Sequence, residues 1–338
     1  LFVQRKLMRL PRVCELVYLN DIIDAAKRLA PVIVRTPLIS SPFLDELTGG
    51  KIFLKAENLQ RTGSFKIRGA YNLLSQLTPE QSKNGAVAYS SGNHAQAVAA
   101  AGAMLGIETT IVMPQDTPQI KITNTKNFGG QVVLYDRYTQ DREQLAKAIA
   151  DEKRAVMVPP YNHEQIIAGQ GTAGLEISEQ CAKLGLLPDH VLVCCSGGGL
   201  TAGIGTAVQH KYPESNIYAV EPECFDDTKR SLISGNFESN DPNARTICDA
   251  LMSAPPGELT FKINKRLLTD VLLVSDDEVK EAIRFAFRHL KLVVEPGGAV
   301  ALAAVINGQI DARDKVTVAV LSGGNIDAAL FASIQRGE

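Results

Sequence analysis

Short runs of β-branched and other apolar residues alternate with stretches of helical period along most of the chain. Strands are predicted at 51–55, 86–89, 109–113, 131–135, 191–195, 217–221, 271–274 and 316–321. Between them lie segments of helix period. The one at 94–105 is Ala-rich and stopped by Gly106, a residue suited to a left-handed C-terminal cap. Ser275-Asp276-Asp277-Glu278 reads as a capping box that opens a helix running to about His289. Strands separated by such helices imply βαβ units and a mainly parallel sheet, hence an α/β fold. No internal repeat, low-complexity segment or Pro/Gly/Ser linker interrupts the alternation. In parallel α/β sheets ligands sit beyond the carboxyl ends of strands, so the residues that follow strands are the ones to read for function.

With 338 residues and 45% hydrophobic content, the chain can bury a large core in two lobes. Its formal net charge is −2 and the charges are dispersed, so composition favours neither nucleic acid nor an anionic membrane as partner. No apolar run approaches the roughly 20 residues that span a bilayer. The opening Leu1-Phe2-Val3-Gln4-Arg5-Lys6 is basic and apolar, but Arg9 and Arg12 interrupt it. No small-residue cleavage pattern follows, so it reads as a short extension and not as a secretory signal. The cysteines at 14, 181, 194, 195, 224 and 248 form no CxxC pair. They read as reduced thiols of a cytoplasmic enzyme, serving mainly as small core residues. Cys194 and Cys195, adjacent on a predicted strand, should face opposite sides.

Four polar clusters stand out. The strand at 191–195 runs into Ser196-Gly197-Gly198-Gly199-Leu200 and then a helical segment. A glycine turn at a helix N-terminus presents several N–H groups to one anion, aided by the helix dipole. The pattern is neither GxGxxG nor GxxxxGK[ST], which weakens dinucleotide and P-loop readings; a tight structural turn is the plainer alternative. Ser322-Gly323-Gly324-Asn325 also follows a strand, and its hydroxyl could meet a ring nitrogen of a cofactor. Ser90-Ser91-Gly92-Asn93-His94 ends a strand and begins a helix, offering hydroxyls, an amide and N–H groups that suit a carboxylate. Either serine alone would pass for an N-cap. Lys66 lies in a mixed polar and apolar segment before a helix. A lysine is usually a solvated surface charge; to form a Schiff base it must sit where desolvation or a neighbouring charge lowers its pKa.

A fifth segment, Glu221-Pro222-Glu223-Cys224-Phe225-Asp226-Asp227, follows a strand. Glu221, Asp227 and a backbone carbonyl could surround Mg²⁺ or Ca²⁺ with hard oxygens, although such runs are more often solvated acidic turns.

The segments SFKIRGA (64–70), SSGNHAQA (90–97), AGQGT (168–172), SGGGLTAG (196–203), EPGGA (295–299) and LSGGN (321–325), in this order, resemble the pyridoxal 5′-phosphate (PLP)-dependent serine/threonine dehydratase and serine racemase family. The match covers roughly residues 20–335. It implies an α/β, two-lobed, parallel-sheet-rich fold of the tryptophan synthase β-like type (PLP fold type II). It also implies a large PLP-binding domain at 1–80 and 163–338, a small domain at 81–162, and a homodimer. By the same resemblance Lys66 is the Schiff-base lysine and catalytic base, and Phe65 packs on the pyridine ring. Asn93 bonds the ring hydroxyl, while Ser196, Gly197, Gly198, Gly199 and Leu200 cradle the phosphate. Ser322 meets the pyridine nitrogen, where a serine in place of an aspartate implies a largely unprotonated ring. Ser90, Ser91, Gly92, Asn93 and His94 hold the substrate carboxylate. Ser91 aligns with the serine that racemases use on the opposite face, and Arg142 resembles an arginine near the substrate. Glu221, the Phe225 carbonyl and Asp227 match a divalent-cation site.

The resemblance implies α,β-elimination on L-threonine or L-serine to 2-oxobutyrate or pyruvate plus ammonia. The alternatives are a serine racemase with dehydratase side activity and a 3-hydroxyaspartate dehydratase; a β-replacement synthase fits the motifs less well. From other classes remain a nucleotide-binding oxidoreductase, which lacks its acidic ribose-binding residue here, and a catalytically silent PLP-binding regulatory protein, against which an intact Lys66 argues. Two departures matter. Ser196 replaces the first of four usual glycines, and Cys248-Asp249-Ala250 stands where the family has Ala-Asp-Gly, adding bulk near the cofactor. The C-terminal regulatory domain of biosynthetic threonine deaminases has no counterpart, so isoleucine feedback is not expected.

Overall fold

The computed structural model describes residues 17–117, 119–136, 138–252 and 255–338; the basic opening segment and Cys14 lie outside them. Ten strands are formed among the described residues: β1 (Leu38–Ser40), β2 (Lys51–Ala56), β3 (Ala86–Tyr89), β4 (Thr109–Pro114), β5 (Gln131–Tyr135), β6 (Val156–Met157), β7 (His190–Cys194), β8 (Asn216–Pro222), β9 (Leu268–Val274) and β10 (Val316–Leu321). They build two sheets, one in the order β1-β2-β10-β7-β8-β9 and the other in the order β5-β4-β3-β6. Every pairing is parallel except that of β1 with β2.

All eight predicted strands are present, β3, β5 and β10 with the predicted ends and the other five with shifted ones. β7 runs one residue earlier, from His190, and closes at Cys194, although the Cys195 N–H still bonds the Val220 carbonyl at 2.9 Å. β9 starts at Leu268 because its first residues, Thr269 and Asp270 among them, lie at an exposed edge where polarity masks a strand. β1 and β6 span three and two residues, too short to show a period. The helix Asn93–Leu105 ends at Gly106, whose φ of 67° a side chain would resist. In the helix Asp276–Phe285 the Ser275 N–H donates to Glu278 Oε2 at 2.7 Å, the reciprocal bond of a capping box. A π-helical turn, Ala286–Leu290, carries this helix to its end.

Three helices tie the sheets together: Lys66–Leu74, Glu164–Lys183 and Gly199–Lys211. They approach backbone to backbone. A Cβ on Gly169 would fall 2.5 Å from the Arg68 carbonyl, and one on Gly203 would fall 2.6 Å from the Gly171 nitrogen. Between these helices and β2 lies a buried charge network. Arg68, fully buried, donates from Nε and Nη2 to Glu57 at 2.8 Å each, and from Nη1 and Nη2 to Glu176 at 2.8 and 3.0 Å. Lys55 adds bonds to Glu176 at 2.6 Å and to the Thr36 carbonyl at 2.8 Å.

Removing one member leaves buried charge without compensation, which typically costs about 3–5 kcal/mol. Glu176→Gln should therefore lower stability by about 3 kcal/mol in urea unfolding. An unchanged midpoint would show that the network is dispensable.

Candidate active site

The approach to Lys66 is bent by Thr62 and Gly63, at φ 62° and 71°. This kink lays the chain against the segment after β10. The Phe65 N–H donates to the Ser322 carbonyl at 3.1 Å, and the Gly324 N–H to the Gly63 carbonyl at 2.9 Å. The Asn325 amide bonds both the Thr62 carbonyl, at 2.8 Å, and Asn93 Oδ1, at 2.7 Å. Lys66 then begins its helix with a buried amine. Nζ donates to the Pro160 carbonyl at 2.8 Å and lies 5.1 Å from the Phe65 ring centroid. Burial lowers its pKa to about 8, against the opposing pull of Cys194 and Glu295. Near neutrality a usable fraction of this amine is uncharged.

Phe65, Lys66, Ser90, Ser91, Gly92, Asn93, His94, Arg142, Ser196, Gly197, Gly198, Gly199, Leu200 and Ser322 all line one cavity. It opens beyond the carboxyl ends of β3, β7 and β10, so both sheets contribute. Gly198, at φ 87°, turns the chain from β7 into the helix Gly199–Lys211. Thr260 takes up the Gly197 carbonyl at 2.6 Å and Asn264 the Gly198 carbonyl at 3.1 Å. A Cβ on Gly197 would lie 2.3 Å from the Tyr161 ring. The turn is thus anchored from outside, and the first-turn N–H groups of the helix have no intrahelical acceptor.

At the end of β3, Ser90 Oγ accepts the Gly92 N–H at 3.2 Å. The Asn93 amide donates to Glu295 Oε1 at 2.6 Å. His94 donates through Nε2 to the Val158 carbonyl at 2.8 Å, and burial, reinforced by Lys66, drops its pKa to about 3. This ring is neutral at physiological pH and its one N–H is committed to Val158, so a carboxylate can meet His94 only through the backbone N–H. Ser322 shares a hydrogen bond with the Cys194 thiol, which burial raises to about 11. Cys195 faces away, with Sγ 3.6 Å from Thr228 Oγ1.

Several cavity residues were not singled out from sequence. Glu295 lies inside the EPGGA segment, but its carboxylate is buried and pushed up to about 7 by that burial. Tyr161 and Gln170 pack behind the glycine turn. Lys121, on the helix Gln119–Asn127, forms an ion pair with Asp249 on the 3₁₀ turn Asp249–Leu251 at the cavity mouth. Asp249 and Ala250 line the cavity, whereas Cys248 is buried in the core.

Glu221, Phe225 and Asp227 lie apart from this cavity. Glu221 accepts the Thr228 and Lys229 N–H groups at 3.1 Å each. Asp227 Oδ1 accepts from Asn240 at 2.6 Å, while Oδ2 is buried without a partner. Burial raises Glu221 to about 8 and Asp227 to about 6. Two buried carboxylates, one with an orphaned oxygen, fit a hard cation. Among the described residues no group of three or more His, Cys, Asp or Glu side chains gathers as a metal cluster.

Residues 29–323 match the model of the family described as pyridoxal-phosphate dependent enzyme. The chain is 42% identical to an L-threo-3-hydroxyaspartate ammonia-lyase of Pseudomonas sp over 94% of this chain and 98% of that protein. It is 39% identical to the serine racemase of Schizosaccharomyces pombe, over 93% and 95%. Among solved structures, a threonine deaminase of T.th. superposes with a TM-score of 0.86 at 42% identity, over 92% of this chain and 99% of that one. The fold is the mixed α/β, parallel-sheet-rich arrangement of PLP fold type II enzymes.

Imine formation requires a neutral amine. Capture of added PLP by the cofactor-free protein should therefore accelerate as pH rises through about 8, where Lys66 loses its proton, and level off above it. Stopped-flow absorbance measures this; a rate that rises only near the ordinary lysine pKa of about 10.4 would contradict the burial argument.

Proposed function

We propose that this chain, which belongs to the pyridoxal-phosphate dependent enzyme family, is an ammonia-lyase for small 3-hydroxy amino acids with Lys66 as cofactor-bearing residue and base. L-Threonine and L-serine are the neutral substrates of this reading, and threo-3-hydroxyaspartate the acidic one. One observation carries it: a buried Lys66 amine shares a cavity with the glycine turn, the Ser322 hydroxyl and the 90–94 segment.

The residues fit the cofactor. The glycine turn 196–200 and the helix N-terminus behind it suit a phosphate, and Phe65 lies beside the Lys66 amine to flank a ring. Ser322, tied to Cys194, would offer a ring nitrogen a neutral hydroxyl, which would leave that nitrogen largely unprotonated. Asn93, held by Glu295 and Asn325, would bond the ring hydroxyl. When bound, PLP supplies the electron sink for charge developing at Cα.

The protein's own groups do the rest. Ser90, Ser91, Gly92, Asn93 and His94 hold the α-carboxylate at the start of the helix Asn93–Leu105. Lys66 Nζ, lowered to about 8, takes the α-proton as a base near its working pH. Loss of the β-hydroxyl as water, then hydrolysis of the released enamine, gives a 2-oxo acid and ammonia. Ser91, on the wall of the same cavity, supports a second reading in which it protonates Cα from the opposite face and the enzyme also racemises serine. Glu221, the Phe225 carbonyl and Asp227 would hold Mg²⁺ or Ca²⁺ in a structural or activating role; the orphaned Asp227 Oδ2 supports this. Free thiols at all five described cysteines agree with a reducing, cytoplasmic setting.

One assay tests the set. L- and D-serine, L-threonine and both 3-hydroxyaspartate diastereomers are supplied to wild type and Ser91→Ala, with and without EDTA. Oxo-acid release by both proteins from L-substrates is expected, with formation of the opposite serine enantiomer confined to wild type. Chelation should lower the melting temperature and added Mg²⁺ restore it. No oxo acid from any substrate would overturn the lyase reading, and indifference to EDTA would remove the metal.

A further inference from the structure

The residues between β6 and the helix Glu164–Lys183 touch several parts of the site in turn. The Val158 carbonyl holds His94 Nε2, and the Pro160 carbonyl accepts from Lys66 Nζ. Asn162 Oδ1 accepts the Leu259 N–H at 2.9 Å, behind the glycine turn. Tyr161 stands among them and lines the cavity. Its ring lies flat against Gly197, where any side chain would collide with it, and its carbonyl accepts the His163 N–H at 3.0 Å. The ring is therefore fixed between the residue that holds the reactive amine and the turn suited to a phosphate.

Among the described residues the Tyr161 hydroxyl forms no hydrogen bond. Burial raises its pKa, with Glu143 adding to the effect and Arg142 opposing it, so the phenol keeps its proton at neutral pH. A protonated phenol without a partner is a donor to whatever ligand the cavity takes. Elimination from a hydroxy amino acid needs such a donor, because hydroxide leaves poorly, and a positioned acid contributes roughly 10²–10⁴-fold. Other groups on the wall are already engaged. The His94 N–H is given to Val158, Glu295 accepts from Asn93, and Lys121 is paired with Asp249. Tyr89, the other phenol, belongs to the small-sheet wall, with the Arg142 guanidinium 5.5 Å from its ring centroid.

We propose that Tyr161 is a further catalytic residue, whose hydroxyl protonates the departing β-oxygen of the 3-hydroxy amino acid. This rests on the reading of the cavity as the site of a hydroxy-amino-acid lyase. As Lys66 takes the α-proton, the electron pair of the C–H bond ends in the Cα–Cβ double bond and the Cβ–O bond breaks. The Tyr161 proton goes to that oxygen, which leaves as water. The phenolate then recovers a proton from the Lys66 ammonium, the direction favoured by a lowered amine and a raised phenol. Both groups return to their starting states, and Lys66 is again the neutral amine that imine formation requires.

The test compares the wild-type and Tyr161→Phe holoenzymes at saturating PLP. Oxo-acid release is measured with L-serine, with threo-3-hydroxyaspartate and with β-chloro-L-alanine. Serine and chloroalanine yield the same enamine and differ only in the leaving group, and chloride departs without a proton. Phenylalanine keeps a ring against Gly197, so the melting temperature and the cofactor absorbance of the variant should match those of wild type. The variant's kcat should fall about 100-fold on the hydroxy substrates that wild type accepts, while kcat on chloroalanine stays within about twofold. An equal fall on both kinds of substrate would overturn the proposal and leave Tyr161 a packing residue. No fall on the hydroxy substrates would overturn it too and assign the proton to another donor. Should wild type release oxo acid from neither hydroxy substrate, the lyase reading fails, and this proposal fails with it.

Discussion

Arg68 carries its charge where no water reaches, and the chain meets that cost with two carboxylates from distant segments. Glu57 follows β2, and Glu176 lies midway along the helix Glu164–Lys183. Taking an ion out of water costs several kcal/mol unless partners surround it in good geometry. Any slip of the helix Lys66–Leu74 would strand Arg68, and Lys66 sits two residues before it on that helix. The position of the reactive amine is thereby tied to a network in which an error of one turn is heavily penalised. Close approaches at Gly169 and Gly203 lock the neighbouring helices to the same frame, and the second of these helices carries the glycine turn.

The same dry interior sets the chemistry. Burial lowers Lys66 to about 8, raises Glu295 to about 7 and keeps His94 neutral. Each shift moves a group away from its water-like state toward the uncharged form. Burial thus lessens the charge that an amine, an acid and an imidazole bring into one cavity. The full charges stay at the mouth, in the Lys121–Asp249 pair and in Arg142, where solvent still reaches. Asn93, His94, Glu295 and Ser322 are buried at the cavity floor, whereas Arg142 and Asp249 are exposed at its rim.

Much of this was legible in the sequence because it depends on local signals. Strands long enough to show a period were found, and β1 and β6 were too short. The glycine turn announced itself because a helix start that approaches a ligand or an aromatic ring tolerates no side chain, as Gly197 against Tyr161 illustrates. Motif order identified the family before any coordinate. Long-range partnerships were hidden. Glu295 reads as an ordinary cap before Pro296, and only packing shows that its carboxylate is buried against Asn93. Tyr89 looks like a strand terminus, and the Arg142 guanidinium over its ring comes from more than fifty residues away in sequence. Lys55 and Arg68 look solvent-facing by residue type, yet both are fully buried because the paired acids arrive from elsewhere.

The buried framework should deliver Lys66, and no other lysine, to the cofactor. The direct measurement is borohydride reduction of the PLP-loaded protein followed by peptide mass spectrometry. A single pyridoxyl group is expected on Lys66, with Lys55 and Lys121 unmodified although one is nearby in the core and the other lines the cavity. A label on another lysine, or none after loading, would contradict it.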